Sequence, residues 1–447
     1  MSVTEVALGE RLGRFVVQCR ETEPPSEVVE KLRCNLLHDL SCAFAAHSEG
    51  PVVWPVVAGR GPAESTLLCQ GERVDAEHAA FANAVLMHAR AQDDTHYAAK
   101  THVGSAVIPP ALALAERLDA DGEAFARALI AGYEVAAAVG EPLAAASTAA
   151  GFRASMLYGT LGSAAACASL LGLDKEGAAN AIAIASSFSG GLNQTWIEGS
   201  SEWRWELGMA ARNGLWAAGL AANGAVGARH WFEGDAGFAR AFGGAVPAAE
   251  EWELGERWRI LDVIYKPYPV CNITQSPVEA AIAAVSEANV AAGEIESIRC
   301  SLNPADRSYP GTLNWGPFED VGASLMSAPF CVAMAVKDRD ATLAGLHRTE
   351  DPVMRELVAR TEVLADDQLP TLAARVELTT RSGESYAREL VPDADTYGWD
   401  WEGVVANSRR LLAEMAIDEA AFDGLCASLR DLTELDSVAP LVRASLP

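Results

Sequence analysis

The chain has 447 residues, half of them hydrophobic, and its 61 acidic and 34 basic side chains give a formal net charge of −27. This length exceeds what one compact core normally holds and predicts two domains. So acidic a surface repels nucleic acid and anionic membranes, which excludes both as binding partners, and any site for an anionic substrate must be lined locally by Lys, Arg or His.

Neither the N-terminal residues nor the cysteines match a recognised targeting or metal-binding pattern. Residues 1–10 lack the basic region and apolar run of a signal peptide, so we expect none. The most apolar stretches, 162–173 and 323–336, are too short or too interrupted to span a bilayer. The nine cysteines include no CxxC pair and no Cys/His cluster at metal-ligand spacing. We therefore expect a cytoplasmic protein with reduced thiols and no bound metal.

The first two-thirds of the chain has apolar residues at helical spacing, with Gly or Pro at most of the joints. Because alanine-rich helices can approach one another closely, this region is predicted to form a multi-helix bundle. The predicted helices are 5–20, 79–91, 106–118, 122–139, 159–171, 175–188 and 209–225.

The pattern changes after about residue 266. Residues 294–302 and 374–380 alternate apolar and polar side chains, and a turn at 382–383 leads into a further strand at 385–390. Helices are predicted at 323–337 and 353–364, and the tail, 401–446, is predicted to be helical and to pack back on the first domain. The predicted fold is mainly α, with a large all-helical domain (1–265 and 400–447) and a smaller α+β domain (266–399).

The segment 83–111 concentrates chemically active side chains. An apolar helix runs into DDTH at 93–96, and Lys100, His102 and the helix start VIPPA at 107–111 follow, where proline is expected to help start the helix. Asp, Thr, His and Lys in one loop between buried helices suit a proton-transfer site. The structural alternative is that Asp94 or Thr95 only caps backbone N–H groups.

This segment, N-x(4)-H-x(4)-DDTH followed by HVGS, resembles the MmgE/PrpD family. That family includes 2-methylcitrate dehydratases, cis-aconitate decarboxylases and iminodisuccinate epimerases. Further blocks resemble the family in the same order, and together they span roughly residues 80–340. They are GYEV from 132, GFR from 151, GTLGSAAA from 159, GMAARNG from 208, FEG from 232 and KPYPVC from 266.

The resemblance implies a large helical domain, a smaller α+β lid domain, a cleft between them, a homodimer, and no metal or organic cofactor. It places Thr95 and His102 at the positions of an active-site Thr and His. It also places Lys266 where the family has a lysine that meets a substrate carboxylate, and Cys271 where some members carry a His.

The chain also departs from the family pattern. Arg153 replaces the usual His of the GFH block, and Trp203 and Glu206 occupy the positions of a Lys and a His ahead of the GMAA block. Ala91 stands where an acidic residue often precedes DDT. The methylcitrate and cis-aconitate roles therefore do not carry over directly to this chain.

We predict that His102 moves a proton, because imidazole titrates in the useful range. Lys266, held extended by the following proline, and Arg153 with its bidentate guanidinium would hold carboxylates. The structural alternatives are a solvated hinge lysine for Lys266 and an ion pair with one of the many acidic groups for Arg153. Thr95 and Asp94 would position the leaving group or the histidine, with helix capping as the alternative for Asp94.

The remaining candidates carry stronger structural alternatives. Tyr158 is a candidate proton donor, although buried tyrosines commonly serve packing. Arg204 lies between two tryptophans and either binds substrate or stacks on an aromatic face. The other predicted substrate-binding residues are His96, Lys100, Trp203 and Cys271.

The leading functional hypothesis is a cofactor-independent lyase of the dehydratase type, which abstracts a proton next to a carboxylate of a small hydroxycarboxylic acid. An epimerase (isomerase) or a decarboxylase of a small polycarboxylate could use the same site. A family member that has lost its chemistry and binds a ligand is the non-enzyme alternative. The tryptophans near Arg204 suggest a substrate less polar than citrate.

Overall fold

The computed structural model describes residues 7–243, 245–246 and 252–446. It is mainly α with a smaller α+β part, which confirms the predicted fold class. The helices before residue 265 are α1 (Leu8–Glu21), α2 (Ser26–Ala45), α3 (Trp54–Val57), α4 (Ala76–His88), α5 (Val103–Leu118), α6 (Gly122–Ala149), α7 (Ala154–Leu170), α8 (Lys175–Ser186), α9 (Gln194–Glu198), α10 (Glu202–Ala222) and α11 (Phe238–Ala241).

The later helices are shorter on average. They are α12 (Asn272–Ala288), α13 (Pro304–Arg307), α14 (Val321–Met326), α15 (Ala328–Asp338), α16 (Leu343–Leu346), α17 (Pro352–Ala359), α18 (Ala394–Tyr397), α19 (Trp401–Arg410), α20 (Glu419–Arg430) and α21 (Ala439–Arg443). The strands are β1 (Ser65–Thr66), β2 (Arg73–Val74), β3 (Thr95–His96), β4 (Val263–Ile264), β5 (Ile295–Leu302), β6 (Thr361–Ala365), β7 (Ala374–Thr380) and β8 (Ser385–Leu390).

The bundle is built around α7, which packs against α5, α6, α8 and α10. Small side chains make this possible, because a Cβ atom at Gly162 would lie 2.6 Å from the carbonyl oxygen of Gly132. Glycine at this crossing lets α6 and α7 approach more closely than any larger residue would allow. Helix α6 is long and apolar enough to cross a membrane by composition, but 83% of its most apolar window is buried inside the protein.

The buried apolar side chains of the described residues form two hydrophobic cores, and each core is drawn mainly from its own part of the sequence. Side chains after residue 400, including Trp401, Phe422 and Leu425, join the core of the helical bundle, and α19 and α20 pack against α2. Apolar residues between 270 and 378 form most of the second core, and Ala91, Trp196 and Trp203 of the helical part join it. We propose the domain division 1–265 with 400–447 and 266–399 on this ground.

The second core lies on a four-stranded sheet with the order β6-β5-β7-β8. Strand β5 pairs in parallel with β6 and antiparallel with β7, and β8 pairs antiparallel with β7. Helices α12 and α15 pack side by side against it. The predicted strands 374–380 and 385–390 are confirmed at both ends, and 294–302 is confirmed within one residue.

Two predicted helices of this region are wrong in part. The segment 353–364 is helical only to Ala359, and its remainder enters β6, because parallel pairing with β5 outweighs the local helical pattern. The segment 323–337 is two helices, because Ser327 ends α14 and its hydroxyl caps α15 by accepting from the N–H of Phe330 at 3.0 Å.

The helical part differs from prediction at its joints. Helix α5 begins at Val103, so Pro109 and Pro110 lie inside it and do not start it. Helix α2 was not predicted, because it is buried on most sides and polar residues such as His38 and Asp39 interrupt its apolar pattern. Residues 5 and 6 of the first predicted helix lie outside the described residues.

Candidate active site

A two-residue strand pair brings two distant segments of the chain together. Strand β3 pairs antiparallel with β4, so Thr95 lies opposite Ile264, two residues before Lys266. The loop after β3 closes through a bridge between His96 and Thr101, and the next residue, His102, precedes α5. As a result Nζ of Lys266 lies 3.3 Å from Nδ1 of His102.

These segments border a cavity of about 210 Å³ between the bundle and the second core. This volume is below the roughly 300–1,000 Å³ of pockets for drug-sized ligands, so it suits a small molecule. The predicted site residues that line it are Thr95, Lys100, His102, Arg153 and Cys271. Lining residues that sequence reasoning missed include His88, Tyr97, Ser155, Trp196, Asn272, Asp306, Tyr309, Leu325 and Met326.

His102 has one ring nitrogen inside the protein and one available. Its Nδ1 lies 3.2 Å from Oδ1 of Asp93 and 3.5 Å from the Thr95 hydroxyl. Within the described part of the chain, Nε2 makes no hydrogen bond, and 19% of the side chain is exposed. Burial lowers the pKa of His102 to about 4, and the neighbouring Lys266 adds to this effect while Asp93 opposes it. The imidazole is therefore neutral near pH 7.

Asp93 and His88 connect His102 to Arg153, and sequence reasoning selected neither of them. Oδ2 of Asp93 accepts from the Ser105 hydroxyl and from Nδ1 of His88 at 2.9 Å. Nε2 of His88 accepts from Nη2 of Arg153 at 2.8 Å. The motif itself could have identified His88, because it is the histidine that ends α4 five residues before the Asp93–Asp94 pair.

Asp93 is the ionised member of this group. Burial by itself raises the pKa of Asp93, but the adjacent His102 and His88 rings hold it well below its ordinary value. Burial also lowers the pKa of His88, to about 3, so both rings are uncharged near neutral pH. The carboxylate is therefore stabilised by N–H and O–H donors and by Lys266, whose ammonium lies 3.9 Å away.

Lys266 lies behind the cavity wall. It is fully buried and donates to the carbonyl oxygen of Ala91, and burial lowers its pKa. Donor atoms of His88, Asp93 and His102 lie within 4.8 Å of one another, a spacing compatible with a metal ion. The Lys266 ammonium already occupies the cationic position beside two of them and Arg153 donates to the third, so this set does not fit a metal.

Arg153 borders the cavity, and its positive charge is already paired with a carboxylate of the protein. Nη1 donates to the carbonyl oxygen of Trp203 at 2.9 Å and to Oε2 of Glu206 at 3.1 Å. The guanidinium also lies over the ring of Trp196, with 4.6 Å between Cζ and the ring centroid. The two departures from the family pattern at 153 and 206 thus form one ion pair.

Asp94 lies beneath the loop, away from the cavity. Its Oδ1 accepts from the backbone N–H of Gly104 in the first turn of α5, and its Oδ2 accepts from the Tyr133 hydroxyl at 2.6 Å. Burial raises the pKa of Asp94 to about 6, and it is close to a second buried acid, Asp39. This is the capping arrangement that was the alternative for Asp94.

Two other candidates also point away from the cavity. The Tyr158 hydroxyl is hydrogen-bonded to that of Ser147 at 2.8 Å inside the bundle, which is the packing alternative. His96 accepts from the N–H of Ala99 through Nδ1, and its Nε2 lies 3.6 Å from a carboxylate oxygen of Glu141. The structure therefore does not bring either side chain to the site.

Trp203 and Arg204 support the wall from behind. Trp203 is fully buried, with its ring centroid 5.4 Å from that of Trp196 and 5.0 Å from that of His88. Arg204 stacks on Trp203 at 4.9 Å and pairs with Glu49 at 3.1 Å. Arg204 thus shows the stacking alternative, and neither residue lines the cavity.

Asp306, Tyr309 and Cys271 of the second domain line the cavity together with Lys100 from the loop after β3. Lys100 has a left-handed backbone conformation, φ 49°, and its Nζ lies 5.5 Å from the centroid of the Tyr309 ring. Burial raises the pKa of Asp306, and the backbone N–H of Leu372 and the charge of Lys100 partly oppose that rise. Burial also raises the pKa of the Cys271 thiol, which favours the inert protonated form.

Comparisons with known proteins agree over most of the chain. Residues 10–251 match the MmgE/PrpD N-terminal domain, and residues 268–394 match the MmgE/PrpD C-terminal domain. A cis-aconitate decarboxylase of Aspergillus terreus is 24% identical over 454 residues, covering 94% of this chain and 91% of the relative. The human cis-aconitate decarboxylase is 26% identical over 410 residues, covering 84% and 81%. A cis-aconitate decarboxylase-like protein, oryM, of Aspergillus oryzae is 27% identical over 291 residues, or 60% of each chain.

Proposed function

The chain belongs to the MmgE/PrpD family, and on that premise we propose that it is a lyase that uses His102 to move a proton beside the carboxylate of a small acid. The observation that carries the proposal is the available Nε2 of a neutral imidazole at the cavity surface, with Nδ1 held 3.2 Å from an ionised carboxylate. A base of this kind can take a proton without first losing one.

The surroundings of Nδ1 support proton movement in both directions. This nitrogen faces an acceptor, Asp93, and a donor, Lys266, so either neutral tautomer finds a partner. With the proton on Nδ1, Nε2 takes a proton from the substrate carbon. The imidazolium that forms is then stabilised by Asp93, and the proton returns to the leaving group or to carbon.

Three polar side chains of the cavity are proposed to orient the substrate. Lys100 supplies a positive charge at the wall. The Asn272 amide supplies a donor and an acceptor, since its Nδ2 and Oδ1 are buried with no hydrogen-bond partner in the described part of the chain. The Thr95 hydroxyl, which lies 3.5 Å from Nδ1 of His102, would hold a leaving hydroxyl.

Dehydration is the leading reaction, and decarboxylation is the second candidate. The named relatives, which are cis-aconitate decarboxylases and a decarboxylase-like protein, favour the second. In that case carbon dioxide leaves first, and Nε2–H of the other tautomer protonates the carbanion. Both reactions need the same histidine and differ in the bond that breaks.

Proton NMR of the purified protein in D2O with small hydroxy acids and unsaturated acids tests the proposal. A new alkene signal reports water loss, the C–H signals of a product one carboxylate shorter report decarboxylation, and deuterium at the carbon beside the carboxylate reports proton abstraction. His102→Ala is expected to abolish every one of these signals. His230→Ala is the matched control, because His230 is exposed and its ring pairs with Glu233 at the surface. Silence from folded wild-type protein across the panel would favour the ligand-binding alternative.

A further inference from the structure

The charges around the cavity are balanced. The basic side chains at or directly behind its wall are Lys100, Arg153 and Lys266, and the carboxylates beside them are Asp93, Glu206 and Asp306. The pairs Arg153–Glu206 and Lys266–Asp93 are 3.1 and 3.9 Å apart. Because His88 and His102 are neutral near pH 7, they add no positive charge.

Lys100 differs from the other two cations in its pairing. In the described ranges, no carboxylate forms an ion pair with it, and its ammonium lies over the Tyr309 ring. Asn272 adds an amide whose nitrogen and oxygen are buried without partners. Together they provide one positive charge and one hydrogen-bonding amide, which is what a single carboxylate requires.

One part of the wall is apolar. Trp196 in α9 and Leu325 and Met326 in α14 line the cavity, and α9 and α14 pack against each other. Trp203 fills the space behind Trp196, with 5.4 Å between the two ring centroids. An alkyl group would find an apolar contact surface on this wall, whereas a second or third carboxylate would find no charged or hydrogen-bonding partner there.

We propose that the substrate carries one carboxylate, held by Lys100 and Asn272, and an apolar arm that lies against Trp196, Leu325 and Met326. The inference rests on the proposed function in taking this cavity as the substrate site. A tricarboxylate would bury two further charges where each remaining cation already has a carboxylate, so its desolvation would go uncompensated. A small 3-hydroxy or 2,3-unsaturated monocarboxylic acid meets the site without that cost.

Calorimetric titration with two probes tests the ligand class. Trans-2-hexenoate has one carboxylate and a three-carbon arm, and cis-aconitate has three carboxylates. Wild-type protein is expected to bind trans-2-hexenoate at least about tenfold more tightly, which corresponds to about 1.4 kcal/mol. Along the series from crotonate to trans-2-hexenoate, affinity should rise about fourfold for each added methylene, and Trp196→Ala should flatten that rise.

Charge variants separate this inference from shape effects. Glu206→Gln leaves Arg153 without its carboxylate, and Asp306→Asn removes a negative charge from the cavity lining. Because the electrostatic gain scales with ligand charge, each variant should raise the affinity for cis-aconitate more than that for trans-2-hexenoate and so narrow the preference. Glu49→Gln is the matched control, since Glu49 pairs with Arg204 away from the cavity and its removal should leave the ratio unchanged.

The outcomes are distinct. Wild-type binding of cis-aconitate as tight as that of trans-2-hexenoate, no measurable binding of trans-2-hexenoate, or a ratio unmoved by both charge variants at unchanged melting temperature would overturn the inference. Binding in the expected order without deuterium exchange or alkene formation would leave the ligand class standing and overturn the lyase proposal. Turnover of cis-aconitate together with its tighter binding would do the reverse.

Discussion

Nη2 of Arg153 lies 2.8 Å from Nε2 of His88, and this contact fixes the protonation of the histidine. A guanidinium only donates, so Nε2 accepts and the ring proton resides on Nδ1, which donates to Asp93 at 2.9 Å. The carboxylate that faces His102 is thereby held in one orientation. Arg153, which replaces a histidine of the family pattern, acts on the site through His88 while its own charge is matched by Glu206.

The first prediction concerns this ion pair. Arg153→Met leaves the Glu206 carboxylate, which is 11% exposed, without its cation while the N–H of Leu192 still donates to it, and we expect the free energy of unfolding to fall by roughly 3 kcal/mol. The double variant Arg153→Met, Glu206→Gln removes both charges and should recover the part of that loss that comes from the unpaired carboxylate, because Trp203 and His88 still lack the donor that Arg153 supplied. Urea denaturation of wild type, both single variants and the double variant measures the coupling. A double variant no more stable than Arg153→Met would contradict the role of the pair.

The second prediction concerns pH. The pKa of His102 is about 4, so a reaction that needs the neutral ring should rise with pH through that value and then level off. Lys266 lowers the pKa of His102 and Asp93 raises it. Lys266→Met should therefore move the rise to higher pH, and Asp93→Asn should move it to lower pH. The deuterium-exchange rate against pH and the NMR titration of the His102 ring protons both report these shifts.

Shifts of opposite sign cannot come from general loosening of the fold. If both variants moved the profile in the same direction, or left the ring titration unmoved, the assignment of His102 as the titrating group would be wrong. A lower rate at unchanged pH dependence would indicate a purely structural contribution.

The third prediction concerns Asn272. Its amide is buried without a protein partner, so Asn272→Leu should stabilise the ligand-free protein by roughly 1–3 kcal/mol. The same change should weaken substrate binding about tenfold, through KM more than kcat, because it removes a contact to the carboxylate. Asn213→Leu is the matched control, since Asn213 donates to the carbonyl oxygen of Phe188 at 3.0 Å and its loss should destabilise the protein. If Asn272→Leu destabilised the ligand-free protein, the proposal that the Asn272 amide lacks a protein partner and binds the substrate would be wrong.

Short sequence patterns predicted those elements whose structure depends on neighbouring residues alone. Strands β7 and β8 follow from alternation and the turn between them, whereas β6 depends on parallel pairing with β5, which no short window of sequence reveals. In the same way, the family motifs placed Thr95, His102 and Lys266 together. Asn272 and Asp306 reach the cavity only because the second domain packs against the loop after β3.

The predicted site residues that lie elsewhere share one feature. Asp94, His96 and Tyr158 are close to the site in sequence, yet each is bonded to a neighbour inside the bundle. A helix or a tight loop turns adjacent side chains in different directions, so closeness in sequence does not determine which of them face a cavity. Trp203 and Arg204 likewise act from the second layer of the wall.

The last prediction concerns stability and pH. The pKa of Asp94 rises from 3.8 to about 6 on folding, chiefly through burial. The protonated acid therefore favours the folded state: this contribution is fully present below about pH 4 and is lost as the pH rises through about 6. A shift of this size corresponds to roughly 3 kcal/mol. Asp94→Asn removes the titration, so relative to wild type it should gain stability by about that amount between pH 4 and pH 7.

Chemical denaturation of both proteins across this range measures the difference. Tyr133→Phe provides a second, directional check, because the Tyr133 hydroxyl donates to Asp94 and lowers its pKa. Removing the hydroxyl should move the loss of stability to higher pH while leaving the carboxyl in place. A wild-type to Asp94→Asn difference that is flat from pH 4 to pH 7 would mean that Asp94 stays ionised in the folded protein, with the shared proton of the buried acid pair on Asp39.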